Sequence, residues 1–191
     1  MLFFNSSLRT RLSTEKAAKN LGMDVMVLDI NNTWGLEFKD GTVMNLQTAE
    51  HIKEAAQVIS QYAAIIAVRA FPGLKNKEED ISEYIINSFK KYATVPIVNM
   101  ESATAHPLQA LTDAITITEI SKKKKPKVVL SWAPHPKALP HAVANSFIKT
   151  MQLLEVDFSI TNPKGYDLSP CLLYTSPSPR DQRGSRMPSS A

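Results

Sequence analysis

The stretch Phe3-Phe4-Asn5-Ser6-Ser7-Leu8-Arg9-Thr10-Arg11 decides how this 191-residue chain is interpreted. An apolar run ends at small hydroxyl residues, and two arginines follow within one turn of a predicted helix. A helix that opens near Ser7 would direct several backbone N–H groups and the positive end of its dipole at one point. With two hydroxyls and a guanidinium, they supply the donors that a phosphate or carboxylate needs. An ordinary N-cap with solvated arginines is the competing interpretation, because serine is a favoured capping residue.

Length and composition are those of a packed protein of one to one and a half domains. Hydrophobic residues make up 43% of the chain, and no apolar run approaches the roughly 20 residues of a membrane span. The apolar start has no basic residues before it, so we expect no signal peptide and a cytoplasmic location. The net charge is +4, and three arginines against Asp181 place +2 of it in residues 171–191. This balance gives little support for nucleic-acid binding.

The segment 171–191 differs from the rest of the chain. It is rich in Ser, Pro and Arg and has no hydrophobic period after Leu173, which is typical of disordered sequence. The change at Pro170 is abrupt, so we predict a foreign or disordered tail there and leave it out of fold reasoning. Cys171 is the only cysteine. Residues 1–170 can therefore form no disulfide or thiolate metal site, which fits a reducing cytosol.

Strands and helices alternate along residues 2–161. The apolar run before Asn5 is the first predicted strand, and Gly22 is the predicted end of the helix that follows. Further strands are predicted at 24–30, 63–68, 95–100, 127–132 and 156–161. Helices are predicted at 10–21, 79–92, 107–121 and 140–154, with one more that Thr48 could cap. This order predicts an α/β fold with doubly wound parallel sheets and helices on both faces.

In such sheets, ligands bind outside the carboxyl ends of the strands. Candidate residues follow the predicted strands at that edge: Ser7, Arg9, Trp34, Arg69, Glu101 and His135. A shared site explains six such residues better than coincidence does, although Trp34 alone could equally be a packing residue. Arg69 ends a buried strand, where a guanidinium is costly unless an anion pairs with it. Glu101 could be that partner, or it could bind a cationic amine.

His106 and Gln109 are three residues apart at a predicted helix start, so they can share a face. A capping histidine beside an exposed glutamine is the alternative. The four histidines show no ligand spacing with acidic partners, so no metal site is predicted. A glycine fingerprint, a P-loop and a nucleophile elbow are also absent from the sequence. Their absence disfavours a nucleotide-binding oxidoreductase and a serine hydrolase.

These residues together resemble a known family. The run from Ser7 to Arg11 resembles the carbamoyl-phosphate motif of the aspartate/ornithine carbamoyltransferases, and His106-Pro107-Leu108-Gln109 resembles their second signature. Four further segments resemble the acylornithine branch of that family: 71–73, 100–102, 132–137 and 142–146. The resemblance covers about residues 2–168, and the paired motifs in this order are highly specific.

The resemblance implies transfer of a carbamoyl group from carbamoyl phosphate to the δ-amine of N-succinylornithine or N-acetylornithine, for arginine biosynthesis. The residues that would hold carbamoyl phosphate are Ser7, Leu8, Arg9, Thr10, Trp34, Arg69, His106 and Gln109. Among them, Thr10, Arg69 and His106 would be catalytic, polarising the carbamoyl oxygen. Trp34 in this family often comes from the neighbouring subunit of a trimer. No cofactor or metal is implied.

The acylornithine would contact Glu101 and His135, and a residue near Ala49 would discriminate between acyl groups. Family members often have glutamate or proline at that position, and alanine matches neither. The implied domains are a carbamoyl-phosphate domain at 1–121 and the start of an acylornithine domain at 122–170. The family chain is far longer, so a fragment is expected, with an incomplete second domain and little activity of its own. Two alternatives remain open, transfer to free ornithine and a non-catalytic anion-binding domain.

Overall fold

Parallel strand pairing organises both parts of the chain. The structure, a computed structural model, describes residues 1–30, 34–44, 48–135 and 139–169. The predicted tail at 171–191 lies outside these ranges. The chain divides into two compact units, Met1–Ala103 and Thr104–Ala191, and each is described by itself.

The first unit is built around a parallel sheet. Its elements follow in the order β1 (Leu2–Phe3), α1 (Leu8–Asn20), β2 (Leu28–Asp29), β3 (Leu36–Glu37), β4 (Glu50–His51), α2 (Ile52–Tyr62), β5 (Ile66–Arg69), α3 (Lys77–Ile81), α4 (Tyr84–Tyr92) and β6 (Ile97–Glu101). Four strands form one sheet in the order β2-β1-β5-β6, with every pair parallel. β3 and β4 form a separate parallel pair. The strand ends at Phe3, Arg69 and Glu101 therefore lie along one edge of the sheet.

The core of this unit joins the sheet to α2 and α4. Ile66 and Val68 of β5 pack with Ile52 of α2 and Phe89 of α4, all nearly inaccessible to solvent. Burying each such aliphatic or aromatic side chain contributes about 1.5–3 kcal/mol. This buried centre fixes the carboxyl ends of β1, β5 and β6 on which the site depends.

The second unit contains α5 (Pro107–Ile120), β7 (Lys127–Ser131), α6 (Ala142–Met151) and β8 (Asp157–Thr161). β7 and β8 pair in parallel from Lys127↔Asp157 to Ser131↔Thr161. Ile148, Met151, Phe158 and Leu168 form its buried cluster. Within this division α5 belongs to the second unit, whereas the sequence analysis placed it in a domain ending at 121; that domain boundary stays a prediction.

The α/β class and the strand–helix alternation are confirmed, and several boundaries differ from those predicted. α1 begins at Leu8 rather than residue 10, and it ends as expected, with Gly22 at φ 75°. Thr48 is not the cap of α2. His51 takes that position because its Nδ1 accepts a hydrogen bond from the backbone N–H of Lys53 at 3.1 Å.

The single helix predicted at 79–92 is wrong. Asn76 caps α3 by accepting from the N–H groups of Glu78 and Glu79, so the helix begins earlier, at Lys77. It stops at Ile81, and Glu83 then has a left-handed backbone with φ 55° before α4 begins. The apolar period continues through this break, which is why the sequence pattern did not show it.

Candidate functional site

The N-terminus of α1 is open to a ligand. Ser7 occupies the N-cap position with an extended backbone, φ −154° and ψ 121°, and its side chain makes no capping hydrogen bond within the described residues. Leu8 and Arg9 are exposed, and Thr10 is half-buried. The first helical turn contains no acidic residue. The N–H groups of this turn and the helix dipole therefore favour an anion.

Arg69 and Glu101 form a buried ion pair. The two residues face each other across β5 and β6, at the point where the strand register shifts. Glu101 Oε2 accepts from Arg69 Nη2 at 2.7 Å and from Arg69 Nε at 2.9 Å. Arg69 is 8% exposed and Glu101 is 7% exposed. Of the two roles that the sequence left open for Glu101, the structure therefore shows pairing with the arginine.

The same guanidinium contacts the loop that leads into α1. Arg69 Nη1 donates to the carbonyl oxygens of Asn5 at 3.3 Å and of Ser6 at 3.1 Å. Contacts with described residues thus occupy at most four of the five guanidinium N–H groups. The structure therefore brings the Arg69 guanidinium next to the backbone that precedes Ser7.

Asn5 and Phe71 support this arrangement, and the sequence analysis did not select them. The Asn5 side-chain oxygen accepts a short hydrogen bond from the backbone N–H of Phe71. The Phe71 ring lies 5.6 Å from the Arg69 guanidinium carbon, within cation–π range. Asn5 lies within the stretch quoted first, residues 3–11, which was the available signal for it. The signal for Phe71 was its place in segment 71–73, which resembles the acylornithine branch, two residues after Arg69.

Trp34 and Ala49 lie on the chain segments around β3 and β4. The Trp34 indole N–H donates to Glu50 Oε2 at 2.9 Å, and the Ala49 N–H donates to the carbonyl of Gly35 at 2.8 Å. Trp34 is 51% exposed, so it is not a core packing residue of this chain. Trp34 and Ala49, which were both predicted to contact a substrate, are therefore hydrogen-bonded to the segments around the β3–β4 pair.

Ala49 also lines an open cleft of about 710 Å³ with charged residues. Asp40 in this cleft accepts from the Tyr92 hydroxyl at 3.0 Å and from Lys91 Nζ at 3.3 Å. The Tyr92 and Lys91 contacts hold the pKa of Asp40 below its usual range, and the pKa of Lys91 is raised by the same group of contacts. His51 lies 3.7 Å from Asp40.

The second unit contains the other predicted residues. His106 is the N-cap of α5, and its Nδ1 accepts from the Gln109 N–H at 3.4 Å. The backbone N–H of His106 donates to Ser146 Oγ at 2.8 Å. Gln109 is exposed and donates from Nε2 to Asp113 at 2.9 Å. The capping role considered for His106 is therefore confirmed.

His135 lies just beyond β7 and is exposed. Residues 136–138 of the motif that follows it lie outside the described residues. The convergence of Arg69 with His106 and His135, which belong to different units, stays a prediction.

A smaller cavity of about 220 Å³ is lined by residues that are close in the chain to Arg69 and Glu101. Ala70 and Ala103, which follow these residues closely in the chain, line it with Phe71, Glu83 and Tyr84. Burial, with the nearby charges of Glu79 and Asp80, raises the pKa of Tyr84. Its phenol therefore stays protonated over the ordinary pH range.

Neither a metal cluster nor a membrane helix was found where the structure is described. Across residues 1–30, 34–44, 48–135 and 139–169, no group of three His, Cys, Asp or Glu side chains could hold a metal ion. Over the same ranges, no helix is long and apolar enough to cross a bilayer.

The sequence profile described as "Aspartate/ornithine carbamoyltransferase, carbamoyl-P binding domain" matches residues 1–119. The chain belongs to the aspartate/ornithine carbamoyltransferase family. The resemblance drawn from its motifs is thereby confirmed.

Individual relatives agree with the acylornithine branch. The chain is 53% identical to the N-succinylornithine carbamoyltransferase of Bacteroides thetaiotaomicron over 171 residues, 89% of this chain and 54% of that protein. It is 41% identical to the N-acetylornithine carbamoyltransferase of Xylella fastidiosa over 167 residues, 85% of this chain and 49% of that protein. A crystal structure of acetylornithine transcarbamylase complexed with acetylcitrulline superposes with a TM-score of 0.83 at 38% identity, covering 91% of this chain and 53% of the other. The chain therefore spans about half the length of these relatives.

Proposed function

We propose that this chain supplies the carbamoyl-phosphate side of an acylornithine carbamoyltransferase. The reaction transfers the carbamoyl group of carbamoyl phosphate to the δ-amine of N-succinylornithine, or of N-acetylornithine, and releases phosphate. The observation that carries the proposal is the buried Arg69, held against the loop that opens into the uncapped α1 N-terminus. The family match and the names of the relatives support the same reaction.

The phosphate group of the substrate is assigned to the start of α1. Ser7 is the N-cap of α1, and Leu8, Arg9 and Thr10 are its first helical residues. We assign the phosphate to the Ser7 and Thr10 hydroxyls and to the N–H groups of Leu8 and Arg9, because the helix dipole attracts an anion there. The exposed Arg9 guanidinium adds a charge-assisted contact. Trp34 is proposed to cover the phosphate, in a trimer from the neighbouring subunit.

The carbamoyl group is assigned to Arg69, His106, Thr10 and Gln109. During the reaction the amine nitrogen bonds to the carbamoyl carbon, the bond from that carbon to the phosphate oxygen breaks, and the amine gives up a proton that leaves with phosphate. Negative charge grows on the carbamoyl oxygen as the nitrogen attacks. Contacts with described residues leave at least one Arg69 N–H, which we assign to this oxygen, and the His106 imidazole is proposed as a second group that stabilises the transition state. Gln109 is proposed to orient the carbamoyl amide.

The acylornithine is assigned to Glu101 and His135, with Ala49 selecting the acyl group. N-succinylornithine is the favoured substrate because the relative at 53% identity carries that name, against 41% for the N-acetylornithine enzyme. Ala49 lies at an open cleft, where its methyl group leaves more room than a larger side chain would. A homotrimer and a cytoplasmic location belong to this proposal as well.

Two measurements test the function. Calorimetry with carbamoyl phosphate shows whether the 191-residue chain binds it. A chimera of residues 1–168 with the remaining C-terminal part of the Bacteroides thetaiotaomicron relative tests transfer, with acylcitrulline as the measured product. We expect binding by both proteins and transfer by the chimera alone, because alignment of both substrates supplies roughly 7–11 kcal/mol of the barrier reduction.

The outcomes separate the alternatives. Binding without transfer by the chimera would favour a non-catalytic anion-binding domain. A chimera that prefers free ornithine would contradict the acylornithine assignment, although the relative's half contributes to that preference. The Ala49→Glu chimera is the matched variant, and lower turnover of N-succinylornithine by it would support the role of Ala49 in selection.

A further inference from the structure

Glu83 has an unusual backbone conformation for its residue type. It joins α3 to α4 with φ 55° and ψ 35°, in the left-handed region. A side chain with a Cβ is disfavoured there, and strained residues of this kind often lie at functional sites. The side chain does not cap α4, although Glu83 occupies its N-cap position.

The carboxylate instead contacts the end of β6. Glu83 Oε1 accepts a hydrogen bond from Ser102 Oγ at 2.9 Å, and the same Ser102 Oγ accepts from Asn99 Nδ2 at 2.8 Å. Ser102 is 1% exposed and directly follows Glu101 in the chain. Two hydrogen bonds therefore fix the backbone on one side of the Glu101 side chain and link it to the strand before it.

The segment between Arg69 and Glu83 is fixed by similar contacts. The Ala70 N–H donates to the Glu101 carbonyl at 2.9 Å. Asp80 accepts from the N–H groups of Gly73 at 2.8 Å and of Leu74 at 2.9 Å, and Leu74 is also left-handed, with φ 56°. The chain thus runs from Arg69 through the left-handed Leu74 to the left-handed Glu83, and Ser102 links Glu83 back to Glu101, the partner of Arg69.

We propose that Glu83 is a positioning residue for the Arg69–Glu101 pair. It holds Ser102, Ser102 fixes the end of β6, and the Glu101 carboxylate is thereby kept where it holds the Arg69 guanidinium. The effect of Glu83 on ligand affinity rests on the proposed function, whereas its effect on the Arg69–Glu101 ion pair does not. A turn alone would be better served by glycine, which adopts φ 55° without strain. Only a side chain with an acceptor can reach Ser102.

The first test follows the Arg69 Nε–H by NMR in the 191-residue chain, with Arg69→Lys to assign the signal. This N–H is donated to Glu101 and should exchange slowly with water. In Glu83→Gly the backbone strain is relieved and the hydrogen bond is lost, so we expect about tenfold faster exchange of Arg69 Nε–H, the effect of one hydrogen bond, with no loss of global stability. Glu83→Gln keeps an acceptor oxygen and should restore slow exchange. Glu78→Gln, an exposed carboxylate of α3, is the control.

The second test asks whether Glu83 acts through Glu101. The probe is phosphonoacetamide, in which a methylene replaces the labile bridging oxygen of carbamoyl phosphate. Glu83→Gly should weaken its binding by about tenfold in the wild-type background and have no effect in a Glu101→Gln background, because the positioned group is then already lost.

Each result decides the inference. Unchanged Arg69 Nε–H exchange in Glu83→Gly would overturn it, and so would faster exchange that accompanies every amide equally, since that reports global unfolding. Equal loss of affinity in both backgrounds would also contradict it. If the wild-type chain binds no phosphonoacetamide, the proposed function fails, and the NMR measurement still decides the role of Glu83.

Discussion

Replacing Glu101 by glutamine measures how strongly burial increases the cost of breaking an ion pair. Glutamine keeps the shape and one acceptor oxygen but removes the charge that faces Arg69. At the observed Nη2–Oε2 separation of 2.7 Å, the attraction of two unit charges is about 6 kcal/mol at an effective dielectric constant of about 20. That attraction is offset by the cost of keeping both charges out of water.

The net loss in Glu101→Gln comes from leaving the guanidinium buried without an anion. Such a loss is typically about 3–5 kcal/mol. We expect about 3 kcal/mol, the lower end of that range, because each side chain is still 10% exposed and Nη1 keeps two carbonyl acceptors. Arg69→Met combined with Glu101→Gln should lose less than Glu101→Gln alone, since no buried charge remains.

Urea unfolding of the first unit is the assay. The chain has two tryptophans, so a Trp132→Phe background leaves Trp34 to report on Met1–Ala103. A loss of about 3 kcal/mol lowers the urea midpoint by about 1.5 M for a typical dependence on denaturant.

The matched control is the pair formed by Lys19 and Glu15 on α1. Its N–O distance is also 2.7 Å, but its side chains are 60% and 31% exposed. Glu15→Gln should leave stability unchanged within error, because solvent screens exposed pairs. Equal losses for Glu101→Gln and Glu15→Gln would refute the reasoning, since distance alone would then set the cost.

Three further outcomes are expected. Arg9→Ala should weaken carbamoyl-phosphate binding by about tenfold or more in calorimetry, whereas Lys16→Ala, with the same charge change farther along α1, should have little effect. Because the pKa of Asp40 is lowered in the folded state, the stability that Asp40 contributes is complete above the ordinary pKa and is lost as pH falls through the lowered value. Urea titrations below about pH 4 should therefore show a steeper loss of stability for the wild type than for Asp40→Asn. Parallel curves for the two proteins would contradict this. Gly22→Ala should cost about 1 kcal/mol in thermal unfolding from its positive φ alone, since no atom lies within 4 Å of the added Cβ; Gly73→Ala, which has no positive φ, is the control.

The sequence predicted those structural features that depend on a short-range pattern of residues. The apolar run before Asn5, the serine at the start of α1 and the glycine at its end are short-range signals, and the structure has a strand, an N-cap and a left-handed Gly22 in those places. The parallel arrangement followed from alternation of strands and helices, because parallel neighbours need a crossover between them.

The remaining features depend on contacts between distant residues. The chain breaks the helix at Glu83 because its carboxylate reaches Ser102, 19 residues away, and no local pattern records such a contact. His51 displaces Thr48 as the cap of α2 because β4 extends to the helix start. In each case the prediction followed a plausible local signal, but a tertiary contact decides the structure. Local propensity contributes only a small free energy, so such a contact overrides it.

Arg69 and Arg9 differ in what each can contribute to a bound anion. Arg69 is buried, held by Glu101 and by two backbone carbonyls, so its side chain loses little further freedom when a ligand binds. Arg9 is exposed and must be ordered at that moment, at a cost of up to about 2 kcal/mol in side-chain entropy. A donor whose position is fixed also selects the position of the acceptor, because it cannot move toward a misplaced oxygen. Arg69 therefore suits the reacting carbamoyl oxygen, whose position must be fixed, and Arg9 suits the phosphate, which offers an oxygen in several directions.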